Sequence, residues 1–207
     1  MLRQLYSQTA ASGGQHRASD LLVRPMTVAD AGLIDAMHQR LSPTSIYYRY
    51  LQYRKPTAAE IATVCQLDPA RGLGLVAVVQ GDPAAIVGLA YYVREAYAAE
   101  PTAEPGILIE DRFQSQGLGR RLWQQLQQVA LCDGLRWLRV WSDPENHRMT
   151  QLVRGGGFPY TAKVYDGLSE YLVALGAGAT YARKAETHQP WCSTFIRQWQ
   201  HVNDRLC

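Results

Sequence analysis

The segment Gln114-Ser115-Gln116-Gly117-Leu118-Gly119-Arg120 carries the residue types and spacing of an anion site. Its two glycines let a backbone approach an oxygen with no side chain in between. From Gly117 onward Leu118, Leu122, Trp123, Leu126, Val129 and Ala130 recur on one face of a 3.6-residue helix, which predicts a helix ending near Asp133-Gly134. The first amides of such a helix have no partner within it, and its dipole is positive at that end, so phosphate fits there. Arg120 and Arg121 add positive charge. A glycine pair can also do no more than start a helix, and the string alone does not separate the two readings. No Gly-Lys-Ser/Thr follows, and the third glycine and ribose-binding acid of a dinucleotide fingerprint are missing, so ATP and NAD are poor ligands for it.

The elements that must position this segment can be read on either side of it. Leu21–Val23 predicts a short strand, and Thr27 caps a helix over Val28 to about Arg40. Ser42-Pro43 starts another helix, and Thr57 with Glu60 has the capping-box form for a third, ending at Cys65. Leu73–Val79 and Ile86–Val93 are β-branched runs joined by the turn Gln80-Gly81-Asp82-Pro83. Ala96–Pro105 reads as a spacer and Gly106–Ile109 as the third strand of a meander. After the central helix come a strand over Leu135–Trp141 and a helix capped by Asn146. A closing hairpin follows, made of Lys163–Tyr165, the turn Asp166-Gly167, and Tyr171–Leu175. Residues 1–19 read as a flexible leader, 20–175 as one domain, and 176–207 as an extension with a helix over Trp191–Val202.

Composition bounds the rest. A chain of 207 residues, 47% apolar and 19% charged, suits one globular core. No apolar stretch, Leu73–Val79 included, approaches the 18 or so residues of a membrane span, and the first twenty residues lack a secretory pattern. A cytoplasmic location is the expectation, with neither membrane nor nucleic acid as partner, since a net charge of +3 is too small to suggest the latter. Cys65, Cys132, Cys192 and Cys207 read as free thiols. The tail set His188, Cys192, His201 and Cys207 has no zinc spacing, so no metal is expected, and His38 and His147 read as surface or cap residues.

Gln114 to Arg120, following a strand and opening a helix, resembles motif A of the GNAT acetyltransferase superfamily, whose Q/R-x-x-G-x-G/A loop holds the pyrophosphate of acetyl-CoA. Asn146, Met149 and Leu152, followed by Gly157-Phe158, resemble the family's N-x-x-M-x-x-L and Gly-Phe. Val23-Arg24-Pro25, Arg40-Leu41-Ser42-Pro43-Thr44-Ser45, Arg49-Tyr50, Gly88-Leu89-Ala90 and Ala103-Glu104 look most like the Pat-type protein lysine acetyltransferases. The resemblance covers about residues 20–175. It implies an α/β (α+β) fold: a mixed, mainly antiparallel sheet flanked by helices, with a splayed strand pair at the cofactor cleft.

The resemblance further implies acetyl-CoA as acyl donor. It places donor contacts at Gln114, Gln116, Gly117, Leu118, Gly119, Arg120 and Asn146, and at the backbone amides of Ile107 and Ile109. It implies transfer to a primary amine, with a protein lysine favoured as acceptor. An alkylammonium with a pKa near 10 must lose a proton before it can attack, and the glutamate that accepts it corresponds to Glu104, with Glu110 in reserve. Many family members have a tyrosine after the Leu152 position to protonate the leaving thiolate. Here it is Val153, and a CoA thiolate, with a pKa near 8.5, leaves without much help. Two alternatives stay open: a small-molecule amine acetyltransferase, and a non-catalytic acyl-CoA-binding or interaction module. The sequence leaves the oligomeric state open.

Overall fold

In the computed structural model, residues 21–79 and 85–176 are described. Seven strands form one sheet in the order β1-β2-β3-β4-β5-β7-β6. They are β1 (Leu21–Pro25), β2 (Gly72–Val79), β3 (Ile86–Arg94), β4 (Thr102–Ile109), β5 (Trp137–Ser142), β6 (Tyr160–Tyr165) and β7 (Leu168–Ala174). Every neighbouring pair is antiparallel except β4 and β5, which run parallel. β2 is buried along its whole length, as its near-continuous Leu and Val content requires of a strand covered on both faces.

Among the described residues, five α-helices cover the two faces: α1 (Ala31–Gln39), α2 (Pro43–Tyr50), α3 (Ala58–Cys65), α4 (Leu118–Cys132) and α5 (His147–Arg154). Local chemistry starts three of them where the sequence predicts. Ser42 Oγ accepts from the Ser45 amide at 3.2 Å, with Pro43 in the first turn of α2. Thr57 and Glu60 form a full capping box on α3, and Asn146 accepts from the Met149 amide at 3.2 Å to cap α5. Each cap to Ala would cost about 1 kcal/mol.

The sheet separates two cores. On one face Leu118, Leu122, Trp123, Leu126, Val129 and Ala130 of α4 pack against Leu75, Ala77, Val87, Ala90 and Val140. On the other, Ile34, Met37, Ile46 and Ile61 of α1 to α3 pack against Val76, Val78, Leu89 and Leu108. Leu122 and Leu126 are fully buried, so truncating either to Ala would cost about 2 to 5 kcal/mol. This is what fixes the start of α4 beside the sheet.

Three expectations are corrected. β4 begins at Thr102, not Gly106, because Pro105 sits where a strand loses nothing by lacking an N–H, as shown below. His38 is not a surface residue: it is 1% exposed, with both ring nitrogens hydrogen-bonded. Cys65 is a buried free thiol, but Cys132 is disulfide-bonded, a pairing that linear spacing cannot reveal because it depends on approach in space. The expected leader, the turn Gln80–Pro83, and residues 177–207 with their expected helix lie outside the described residues.

Candidate active site

The site starts from a fork in the sheet. β4 and β5 pair only at Thr102↔Trp137 and Ala103↔Leu138, and beyond these residues the ladder stops. On its other edge β4 stays paired to β3 as far as Gly88↔Ile109. The Glu110 amide donates to Val87 O and the Glu95 amide to Thr102 O, both at 2.9 Å, so the even-numbered residues of β4 turn their backbone groups toward β3. Alternate residues face the opposite edge. Pro105, Ile107 and Ile109 therefore face the gap. Pro105 is the first gap-facing residue after the last pair and has no N–H to give β5, which favours the fork at that point. The amides of Ile107 and Ile109 open onto a cleft of about 440 Å³.

The start of α4 forms another part of the wall. Gly117 is its N-cap at φ +87°, a left-handed conformation that glycine adopts without strain, and no side chain caps the helix. Gly117, Gly119 and Arg120 line the cleft. A Cβ on Gly119 would meet only Ile109 Cγ1 and Leu152 Cδ2 at ordinary contact, 3.7 Å, so packing does not demand glycine there. Asn146, Arg148, Met149, Gln151 and Leu152 of α5 and its cap also line the cleft. Three arginines, Arg49, Arg120 and Arg148, line the cleft, and no carboxylate does so among the described residues.

Other expected donor contacts are placed differently. Gln114 lines the cleft, but its side chain is engaged within the protein: Nε2 donates to Ser45 Oγ at 3.0 Å and Ile109 O at 2.9 Å, and Oε1 accepts from Arg148. It ties α2, β4 and α5 together. Gln116 stands off the wall, donating to Arg112 O at 2.7 Å, and the Leu118 side chain is fully buried, leaving only its amide to offer. Arg121 does not join the site; its guanidinium donates to Leu21 O at 2.9 Å and holds β1.

The two glutamates have opposite environments. Glu104 is exposed on β4, one residue beyond the last β4–β5 pair, and faces Val93 on β3. Glu110 is 3% exposed and is held by Arg40 Nη2 at 2.9 Å and Arg112 Nε at 2.6 Å. Its carboxylate is engaged by two cations, which leaves it poorly suited to accept a substrate proton.

Sequence reasoning missed Ser45, Tyr48, Arg49, Trp141, Ser142 and Arg148 on the cleft wall. Arg49 is the most unusual of them. Its guanidinium lies 5.1 Å from the ring centroids of both Tyr50 and Tyr91 and donates to the Tyr91 hydroxyl. It packs onto β4 at Gly106, where a Cβ would overlap it, so glycine is required for this approach.

A family model described as Acetyltransferase (GNAT) family matches residues 35–158, more than half of the chain. The chain belongs to the GNAT acetyltransferase family. Solved structures agree on its fold. The GNAT domain of S. lividans PAT is 24% identical, with a TM-score of 0.65 over 73% of this chain and 89% of that one. yncA, a putative acetyltransferase from Salmonella typhimurium solved with its cofactor acetyl-CoA, is 18% identical, with a TM-score of 0.60 over 77% and 96%. AAC(6')-Ib in complex with paromomycin and acetyl-CoA is 20% identical, with a TM-score of 0.56 over 75% and 93%.

As a GNAT acetyltransferase the chain is an enzyme that takes acetyl-CoA as acyl donor, and the cleft has the chemistry to accept it. First-turn amides of α4, glycines and two arginines line the cleft, the groups a diphosphate requires, and Ile107 and Ile109 line it from the free edge of β4. Among the described residues no cluster of three or more His, Cys, Asp or Glu side chains could hold a metal, and no helix is long and apolar enough to cross a membrane.

Proposed function

We propose that this acetyltransferase acts in the cytoplasm on the side-chain amine of a protein lysine, with Glu104 accepting the amine's proton directly or through one water. The observation that carries this reading is the fork of β4 and β5: Glu104 is exposed as the first β4 residue past the last pair, next to Pro105 on the cleft wall and on the strand whose free edge offers the amides of Ile107 and Ile109. The Pat-like phrases around Arg40–Ser45 and Ala103-Glu104 support lysine as the acceptor. Gly117, Leu118, Gly119 and Arg120 hold the diphosphate, with Asn146 beside the CoA arm and Gln114 bracing the wall. Gln116 stays outside this grip, its side-chain amide donating to Arg112 O.

Transfer proceeds as the deprotonated nitrogen forms a bond to the thioester carbon. An amide of Ile107 or Ile109 hydrogen-bonds the developing oxyanion, an effect worth a factor of about a hundred or more in other acyl-transfer enzymes. The carbon–sulfur bond then breaks, and the thiolate takes a proton from water. Val153 is 1% exposed in the core and supplies no proton.

A small-molecule amine is the second reading, because one fold relative is solved with paromomycin. The test is CoA thiol release from acetyl-CoA with lysine peptides, with amines, and with no acceptor. Release driven by lysine peptides supports the proposal, and release driven only by small amines favours the second reading. Tight acetyl-CoA binding without release under any acceptor would indicate a non-catalytic acyl-CoA-binding module.

A further inference from the structure

Arg49 is a cation with no carboxylate partner among the described residues. It sits half-buried on the cleft wall beside Ser45 and Tyr48, at the Gly106 end of the free β4 edge. No ion pair among the described residues includes it, whereas Arg24, Arg40, Arg94 and Arg139 all have a carboxylate partner. Of its five N–H bonds, one on Nη2 is given to the Tyr91 hydroxyl, and Nε is buried with no acceptor among the described residues. Removing a guanidinium from water without a counter-charge is unfavourable, and the faces of Tyr50 and Tyr91 offset only part of the cost.

The surroundings keep the group in place. Tyr50 is itself fixed, because its hydroxyl lies 2.7 Å from His38 Nε2, and Tyr91 is a strand residue. Gly106 admits the guanidinium against the β4 backbone, one residue from the amide of Ile107. Arg120 flanks the start of α4, where the diphosphate is placed, and Arg148 is bonded to Gln114, so Arg49 is left over after the donor's charge is matched.

We propose that Arg49 is the acceptor-side anchor of the cleft and that the acceptor carries a carboxylate near the amine that is acetylated. This rests on the transfer reading above and narrows its acceptor class. The carboxylate can come from an acidic residue beside a lysine in a protein, or from a small amino acid. Both are met by the same charge-assisted bonds from the guanidinium N–H groups not given to Tyr91.

The experiment pairs acceptors that differ only in that charge. Peptides with lysine next to Glu are compared with the same peptides carrying Gln, and glycine, β-alanine, 4-aminobutyrate and 6-aminohexanoate with their amides. The wild type should favour the carboxylate members by about tenfold or more in kcat/KM, through KM rather than kcat. The chain length or peptide that shows the largest preference identifies the source. Arg49→Gln should bring the ratio to about one, while Arg49→Lys, which keeps the charge without the fork, should retain part of it. If Arg49→Gln does not fold, the arginine-to-lysine change and a loss of preference at high salt carry the same test. An unchanged ratio in the folded variants, or no preference in the wild type, overturns the proposal.

Calorimetry with the N-acetylated products in the presence of CoA reads the anchor without turnover. If no amine is acetylated but the acidic products still bind in an Arg49-dependent way, the transfer reading fails and the anchor stands. If amines are acetylated without regard to charge, the anchor fails and the transfer reading stands.

Discussion

Tyr47 and Asp143 are separated by 96 positions in the chain, and the tyrosine hydroxyl donates to the carboxylate at 2.8 Å. The bond joins α2 to the segment that follows β5, so it crosses from the side of the cleft carrying Tyr48 and Arg49 to the side carrying Trp141 and Ser142. Asp143 is fixed in turn, because its other oxygen accepts from the Glu145 amide at 2.7 Å. Hydrogen bonding to Asp143 holds the Tyr47 hydroxyl above its ordinary range, so the donor stays protonated through neutral and mildly alkaline pH. Tyr47→Phe removes this single strap. KM for the amine should rise by about two- to tenfold, while the melting temperature moves little because a single part-buried hydrogen bond contributes little net stability. Equal KM values for variant and wild type in steady-state kinetics would show that the strap does not hold the mouth of the cleft.

Glu104 and Glu110 can be separated by what each substitution leaves intact. Glu104→Gln alters an exposed side chain at the fork, so the fold and acetyl-CoA affinity should be unchanged while kcat at neutral pH falls by about a hundredfold or more. Glu110→Gln removes the negative charge between Arg40 and Arg112, and Arg40 also donates to Ile86 O at 2.8 Å, so α1 and β3 lose a shared tie. It should cost about 2 to 3 kcal/mol of stability, read by chemical denaturation. Full turnover by Glu104→Gln would move the base elsewhere.

How much of this was legible in the chain depends on distance along it. Helix starts are local, and Ser42, Thr57 and Asn146 each cap the helix their side chains predict. The Gln114 to Arg120 segment is also local, because a strand end, a glycine pair and a helix start follow one another without interruption. The start of β4 was lost because proline reads as a breaker, and only the pairing pattern shows that its missing N–H faces a gap. Arg49 and Trp141 were lost for a different reason. They reach one wall from α2 and β5, 92 residues apart, and no periodicity encodes that meeting. His38 was misread because a polar residue on an otherwise apolar helix face looks exposed until Tyr50 supplies its partner.

Gly119 tests the placement of the diphosphate without a steric confound. A Cβ there meets only ordinary contacts, and alanine favours a helix over glycine by about 1 kcal/mol, so Gly119→Ala should keep or raise stability. The same methyl stands where the donor must approach the backbone, so CoA affinity should fall. Gly119→Glu adds a negative charge to the anion site and should abolish binding with the fold intact. Gly117→Glu is the less clean variant, since its φ of +87° strains any side chain. Calorimetric titration with CoA alongside thermal melting reads both quantities, and undiminished binding by Gly119→Glu would place the diphosphate elsewhere.

The buried imidazole of His38 sets a pH window for stability. Ile34 O, 2.7 Å from Nδ1, can only accept, so Nδ1 carries the proton and Nε2 accepts from the Tyr50 hydroxyl. A second proton on Nε2 would remove that acceptor. Burial pushes the imidazole below its ordinary value of 6.5, with Arg49 and Lys55 acting in the same direction and the Ile34 carbonyl and Asp35 opposing it. The unfolded chain therefore binds this proton more readily than the folded one. The contribution of His38 is complete above pH 6.5 and is lost as pH falls below that toward the lower folded value. Asp30 and Asp111, whose carboxyls are also held below their ordinary range, act in a separate window below about pH 4. Urea unfolding at intervals between pH 7.5 and 3 should show stability falling on the acid side of 6.5, and His38→Gln should flatten that slope while leaving the fall below pH 4. The same slope in both proteins would assign the titration to another group.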